Sequence, residues 1–107
     1  MLEGVDLSTY IDGFEIIHDL IKKRWIPEIL SLLAHRSVRY SDISEEIDYI
    51  SHTELNRKLK LLLSHRCIEK VEYENQVNYK ITKFGYEIDH IFNHLKEISD
   101  SYNKASS

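Results

Sequence analysis

The chain has 107 residues with a formal net charge of −4, and 42% of its residues are hydrophobic, which suffices for one domain with a small core. No apolar run approaches the roughly 20 residues that cross a bilayer, and no basic segment with an apolar stretch opens the chain, so we expect a cytoplasmic protein with no membrane partner. Cys67 is the only cysteine, which excludes an intrachain disulfide and suits a reducing compartment.

Charge is distributed unevenly along the chain. Residues 1–21 and 41–50 are acidic, whereas residues 22–40 and 51–70 are basic. Binding to phosphates requires Lys and Arg, so the net acidity by itself argues against a nucleic-acid partner. Basic segments on an acidic body are compatible with a DNA-binding protein and equally with ordinary solvated charge.

Two helices are predicted in the first third of the chain. An apolar stripe with helical spacing predicts a helix that begins near Ser8 or Asp12 and ends at Ile21. The segment 25–28, Trp-Ile-Pro-Glu, is typical of a second helix start, because proline in the first turn loses no hydrogen bond and an early glutamate suits the helix dipole.

A short connector and a brief third helix are expected next. Residues 37–40 are predicted to be extended, and Ser41 is predicted to cap a helix over residues 42–47. Residues 48–50 then form the turn into the following helix.

The stretch 51–63 carries two different surfaces on one predicted helix, which Ser51 and Glu54 begin as a capping-box pair. Helical spacing gathers one set of leucines onto a face that belongs in a core: Leu55, Leu59, Leu62 and Leu63. The opposite side offers hydrogen-bond donors and positive charge, as a DNA base edge and its phosphates require. We call it the polar face, consisting of His52, Thr53, Asn56, Arg57 and Lys60. An ordinary solvated helix face has the same pattern, so this stretch alone leaves both interpretations open.

A β-hairpin and a long helix complete the chain. Period-two alternation over residues 68–74 and 77–81 predicts two strands with a tight turn at residues 75–76. Thr82 is predicted to cap a final helix that runs to about Asp100, after which the tail should fray. This helix carries an apolar seam with alternating steps of four and three residues, consisting of Phe84, Ile88, Ile91, Leu95, Ile98 and Tyr102.

Helix, helix, short helix, amphipathic basic helix, hairpin and helix is the element order of a winged helix-turn-helix domain, mainly α with a small β-hairpin. We therefore expect one domain over residues 1–107, with the helix-turn-helix at 41–66 and the wing at 68–82.

Four segments also share their order and spacing with a known family. They are Lys23-Arg24-Trp25, Arg39-Tyr40-Ser41-Asp42-Ile43, Ile50-Ser51 with the leucines that follow, and Tyr79-Lys80-Ile81-Thr82-Lys83-Phe84-Gly85. Together they resemble the HxlR-type transcriptional regulators, a branch of winged-helix proteins related to MarR regulators. The last segment is similar to the family's Tyr-x-Leu-Thr-x-x-Gly after the wing.

The resemblance implies a homodimer that binds double-stranded DNA sequence-specifically, with one recognition helix per chain in successive major grooves. It places the polar face at the groove. Phosphate contacts are expected from Lys58, Arg39, Ser41, Lys22, Lys23, Arg24 and Lys80, although residues 22–24 are equally explained as a solvated helix junction. Helices at residues 8–22 and 83–102 are implied to pack against those of the partner through Phe14, Ile17, Ile21 and the apolar seam.

The chain departs from the family in its cysteine and its wing. The N-terminal cysteine that often serves redox sensing is missing, and Cys67 is expected to be a packed, inert thiol at the end of the recognition helix. The hairpin is shorter than the usual wing and carries Glu72 and Glu74 near its tip. We expect phosphate repulsion to weaken its contacts, which leaves Lys80 and Lys83 as its basic residues.

No enzymatic activity, cofactor or metal is expected. No nucleophile motif or glycine-rich phosphate loop is present, and His90 and His94, although spaced for one metal ion, lack a third ligand in the sequence. A winged-helix protein-interaction or dimerisation module that does not bind DNA is the alternative, favoured by the net acidity and the acidic wing. A third alternative is a regulator gated by a small-molecule effector in a pocket between the dimer helices, but no convergent polar cluster in the sequence marks such a pocket.

Overall fold

The computed structural model describes residues 15–106, which contain five helices and a three-stranded antiparallel sheet. The bounds are α1 over residues 15–21, α2 Ile26–His35, β1 Val38–Arg39, α3 Tyr40–Glu46, α4 His52–Ser64, β2 Ile68–Tyr73, β3 Gln76–Ile81 and α5 Lys83–Ser106. The predicted class, mainly α with a small β-hairpin in a winged helix-turn-helix arrangement, is confirmed. α1 ends at Ile21 as predicted, while its predicted start lies outside the described residues.

The sheet has the strand order β1-β3-β2. Val38 pairs with Tyr79 in β3, so the predicted extended connector adds a third strand to the hairpin. Within the hairpin the register runs from Ile68 opposite Ile81 to Tyr73 opposite Gln76. The inner face of the sheet is thereby tied to the helices through Val38, Ile68 and Tyr79, which are all buried.

The core draws residues from every described helix and strand. Its buried members are Leu20, Ile26, Ile29, Leu30, Leu33, Val38, Ile43, Ile47, Leu55, Leu59, Leu62, Cys67, Ile68, Tyr79 and Ile88. The predicted core face of α4 is thus confirmed, with Leu63 half-buried at its edge. Cys67 is completely buried, and its burial raises the pKa of the thiol to about 11, which confirms a packed thiol that stays protonated at neutral pH.

The third helix begins two residues earlier than predicted, and the hairpin turn begins one residue earlier. α3 starts at Tyr40 and not after Ser41, because the Asp42 carboxylate accepts a hydrogen bond from the Arg39 backbone N–H (3.1 Å) and so caps the helix. The turn consists of Glu74 and Asn75, which both have positive φ (50° and 61°), as in a two-residue type I′ turn.

The last helix is longer than predicted. α5 continues past Asp100 to Ser106, so the expected fraying of residues 103–106 is wrong. Neither glycine nor proline interrupts this segment, and Lys104 in the last turn suits the negative end of the helix dipole.

The start of α5 is bound to the turn that follows α4, at a contact we call the Cys67 junction (Arg66, Cys67, Thr82 and Gly85). The Thr82 backbone N–H donates to the Cys67 carbonyl oxygen at 3.0 Å. The Thr82 hydroxyl lies 2.6 Å from the Arg66 carbonyl oxygen and 3.0 Å from that of Cys67, and it accepts from the Gly85 N–H at 3.1 Å. The predicted cap by Thr82 is therefore confirmed, and it also joins α5 to the end of α4.

Gly85 is required at this junction for steric reasons. A Cβ added at Gly85 would overlap the Cys67 carbonyl oxygen and press on the Ile81 side chain. Because the oxygen belongs to a backbone held by Thr82, it has little freedom to move away. The glycine therefore permits the close approach of the two segments.

We predict that Gly85→Ala lowers the free energy of unfolding by about 1–3 kcal/mol, because the cost of overlap exceeds the helix propensity that alanine gains. Urea unfolding followed by circular dichroism measures the change. Glu87→Ala, at an exposed position of the same helix, is the control and should change the stability little. A Gly85→Ala protein as stable as the wild type would contradict the steric argument.

Candidate nucleic-acid interface

The polar face is exposed along α4, with all five of its residues turned to solvent. The helix starts where predicted, because the Ser51 hydroxyl accepts a hydrogen bond from the Glu54 backbone N–H at 3.1 Å. On the opposite side Leu55, Leu59 and Leu62 are buried in the core. The helix is therefore anchored on one side and presents the predicted residues together on the other.

Glu54 contributes to this surface in a way the sequence did not indicate. Its carboxylate contacts Arg57 (3.2 Å) and Lys58 (3.5 Å), whereas the capping-box pattern placed it against the backbone of Ser51. The Arg57 side chain remains 70% exposed, so its ion pair is screened by water and is weak. Lys58 is only 16% exposed and lies beside the polar face.

Tyr40 holds His52 at the start of the polar face. The Tyr40 hydroxyl oxygen lies 2.9 Å from Nδ1 of His52, and the two rings stack with centroids 5.8 Å apart. The same hydroxyl lies 3.4 Å from the His52 carbonyl oxygen. Donation of the hydroxyl proton to Nδ1 leaves Nε2–H as a free donor, whereas donation by Nδ1–H leaves Nε2 as an acceptor. Tyr40 is thus a positioning residue for the imidazole.

Sequence reasoning placed Tyr40 in the connector and assigned it no role in the site. The first residue of α3 and the first residue of α4 are twelve positions apart. No local periodicity relates them, and only the packing of the two helices brings their rings together.

The three basic residues at 22–24, which were predicted to contact phosphates, already have partners within the chain. Lys22 and Lys23 lie 3.9 Å and 3.7 Å from the Asp19 carboxylate, and the Arg24 guanidinium lies 4.5 Å from the centre of the Trp25 ring. No hydrogen bond or ion pair among residues 15–106 joins Lys22, Lys23 or Arg24 to the polar face.

Near α3, the Arg39 guanidinium lies 3.8 Å from Asp42, and Ser41 is exposed beside it. Both Arg39 and Ser41 are accessible from solvent, because the ion pair is itself exposed.

The wing has the acidic character that the sequence predicted. Glu72 and Glu74 are exposed near its turn. Lys80 lies directly opposite Glu69 in the hairpin register, and residues in that relation share one face of a sheet. The negative charge of Glu69 thus lies on the same face of the hairpin as Lys80.

Tyr49 is a further exposed residue that sequence reasoning did not single out. It lies in the turn before α4, is 97% exposed and has a φ of 70°, a conformation that costs a non-glycine residue about 1–2 kcal/mol. Its aromatic ring is therefore accessible from solvent. No residue pattern marks it, because glycine or asparagine is the usual occupant of such a position.

The apolar seam divides into a buried and an exposed part. Ile88 is buried in the core of its own chain, so its assignment to a dimer interface is wrong. Ile91 is half-buried, whereas Phe84, Leu95, Ile98 (52%) and Tyr102 (71%) are exposed. On α1, Ile17 and Ile21 are half-buried, and Phe14 lies outside the described residues.

The histidines of α5 are engaged in other contacts. The His90 ring meets Tyr86 edge-on at 4.7 Å, and His94 Nδ1 lies 3.7 Å from the Glu97 carboxylate. Within residues 15–106, no three His, Cys, Asp or Glu side chains gather in a group that could hold a metal ion. In the same part of the chain, no helix combines the length and apolarity needed to cross a bilayer.

These elements define a winged helix-turn-helix protein. The family model described as HxlR-like helix-turn-helix matches residues 20–107, and the chain belongs to this family. No curated protein matches the chain.

Solved structures of similar fold are transcriptional regulators. The reduced form of the transcriptional regulator YodB from B. subtilis is 26% identical with a TM-score of 0.78, over 84% of this chain and 91% of that chain. A protein described as a MarR-family regulator from Enterococcus faecalis V583 is 16% identical with a TM-score of 0.82, over 98% and 96%. One described as an HxlR-family factor from Thermoplasma volcanium GSS1 is 22% identical with a TM-score of 0.71, over 82% of each chain. The last two likenesses concern the fold alone.

We predict that Tyr40 and His52 are energetically coupled by about 0.5–1.5 kcal/mol, the value of a typical hydrogen bond. A double-mutant cycle of Tyr40→Phe and His52→Ala, measured by urea unfolding, gives this energy. The matched control is a second cycle, of Tyr49→Phe and His52→Ala. Because the Tyr49 side chain is exposed, the effects of these two substitutions on the free energy of unfolding should be additive. Additivity in the Tyr40 cycle would show that the contact has no energetic weight.

Proposed function

We propose that the protein is a sequence-specific, double-stranded-DNA-binding transcriptional regulator that acts as a homodimer. The observation that carries this proposal is the polar face, which groups an amide, a guanidinium, an ammonium, a hydroxyl and an imidazole on the exposed side of a helix anchored in the core. An α-helix fits the major groove, and these side-chain types hydrogen-bond to base edges there. Family membership supports the same function.

Asn56 and Arg57 are the residues we propose for base recognition, since an amide pairs bidentately with adenine and a guanidinium with guanine. Arg57 must first leave Glu54. An exposed ion pair is worth about 0–1 kcal/mol, whereas a bidentate contact with guanine contributes about 1–3 kcal/mol of discrimination. Exchanging the ion pair with Glu54 for a contact with guanine is therefore favourable for Arg57.

A second group of residues, most of them basic, is proposed to contact the DNA phosphates. Lys60 lies on the polar face, and Lys58, Arg39 and Ser41 lie near it. Lys22, Lys23 and Arg24 would have to exchange their contacts with Asp19 and Trp25 before they bind DNA. The wing is proposed to contribute little, because Glu69 faces Lys80 and further carboxylates surround the turn.

We predict that duplexes selected by the wild-type protein from a random pool bind with an affinity that falls steeply as salt rises, because phosphate contacts release counterions. Asn56→Ala combined with Arg57→Ala should reduce the preference for the selected duplex over a scrambled one by roughly 30-fold or more. Fluorescence anisotropy with labelled duplexes measures both. Asn103→Ala with Lys104→Ala also removes one amide and one basic group, from the far end of α5, and should leave the preference intact.

Absence of DNA binding even at low salt would contradict the proposal. That result would favour a winged-helix protein-interaction module, for which the net charge of −4 and the acidic wing are the supporting observations.

The proposal of a homodimer rests on α5. Leu95, Ile98 and Tyr102 follow the four-and-three spacing of a helix pair, and they are 45%, 52% and 71% exposed. Exposed apolar side chains on one stripe favour association with a matching stripe. We propose that the helices at 8–22 and 83–102 form the dimer interface, and that the helix-turn-helix at 41–66 and the wing at 68–82 extend from it.

We predict that Leu95→Asp combined with Ile98→Asp converts the protein from a dimer to a monomer of 12.7 kDa, because the charges cannot be buried without partners. Sedimentation equilibrium measures the mass. Ser99→Asp with Asn103→Asp adds the same charge elsewhere on α5 and should leave the dimer intact. A wild-type protein that sediments as a monomer at micromolar concentration would contradict the assignment.

A further inference from the structure

An open cleft of about 850 Å³ lies between α2, the segment after α3, and α5. Its volume is within the range of small-molecule sites. Trp25, Leu32 and Phe92 give it an apolar wall, and none of its lining residues belongs to the polar face. The cleft is therefore a separate surface of the molecule.

Asp89 on α5 is the unusual residue of this cleft, since it is only 7% exposed and is charged. Its Oδ2 atom accepts a hydrogen bond from Asn93 Nδ2 at 3.3 Å. Among residues 15–106, no basic side chain is paired with this carboxylate. A carboxylate on the wall of a cleft, with no cation paired to it, attracts a cation that enters the cleft.

The other charges of the cleft add to the negative potential at Asp89. Arg36 is paired with Glu46 at 3.3 Å, so those two charges offset each other. Glu28 and Asp48 remain, against Lys96 as the other basic lining residue. The balance of the unpaired groups with Asp89 is negative.

Hydrogen-bond acceptors also predominate. His35 Nδ1 lies 2.7 Å from the Ser31 carbonyl oxygen, which can only accept, so Nδ1 carries the proton. In the neutral ring Nε2 is then an acceptor. These acceptors favour a ligand that brings N–H donors.

We propose that the cleft binds a small organic cation, an ammonium or guanidinium group attached to an aromatic or aliphatic body. The cationic group lies against Asp89, and the body packs on Trp25 and Phe92. Aromatic rings add to the attraction, because their faces carry negative potential. A bare metal ion does not fit, since the described residues hold no group of three ligands.

Trp25 is the only tryptophan, so its fluorescence reports on the cleft without a label. The full chain is titrated at neutral pH and constant ionic strength with phenethylamine and, separately, with 3-phenylpropionate, which has a similar body and the opposite charge. We expect a saturable change with the amine and none with the carboxylate. Equal responses to both compounds, or no saturable response to the amine, would overturn the proposal.

Asp89→Asn retains the shape of the side chain and removes its charge, and it should weaken amine binding by about tenfold or more. Asp100→Asn, on the same helix but outside the cleft, is the control and should bind as the wild type does. Circular dichroism establishes that each variant is folded, and the comparison of the two compounds on the wild-type protein does not depend on either variant. Unchanged binding by folded Asp89→Asn would also overturn the proposal. Because the readout involves no DNA, its result is independent of the function proposed above.

Discussion

The carbonyl oxygen of Cys67 fixes the position of α5 relative to α4. It accepts the backbone N–H of Thr82 at 3.0 Å and lies against Gly85, where no side chain keeps the segments apart. The end of α4 is thereby joined to the start of α5 through backbone groups. If α4 binds DNA and α5 the partner, the distance between the two recognition helices of a dimer depends on this contact.

Local chemistry explains why the order of the elements could be predicted. Ser51 and Thr82 cap their helices as the sequence indicated, because a cap needs only residues three positions apart. The boundaries that failed were decided by other groups. Asp42 caps α3 from within, and the pairing of Tyr73 with Gln76 places the turn at residues 74–75.

The sequence indicates which residues share the polar face, but it does not indicate their contacts with other elements. The spacing within α4 brings Asn56 and Arg57 onto one face, but it contains no information about Tyr40, which reaches His52 from another helix. Nor does spacing indicate what covers an apolar seam. Ile88 is covered by its own chain while Ile98 is exposed, since α2 packs against only part of α5. Asp89 is inconspicuous in the sequence for the same reason, because its burial comes from that packing.

The buried thiol at the Cys67 junction can also serve as a chemical probe of local opening. A side chain with no exposed surface and a thiol pKa of about 11 reacts with an alkylating reagent only when the surrounding structure opens. When reclosing is faster than the reaction, the rate of modification reports the free energy of that opening alone. A single cysteine in the chain means that one rate reports how firmly the two helices are coupled.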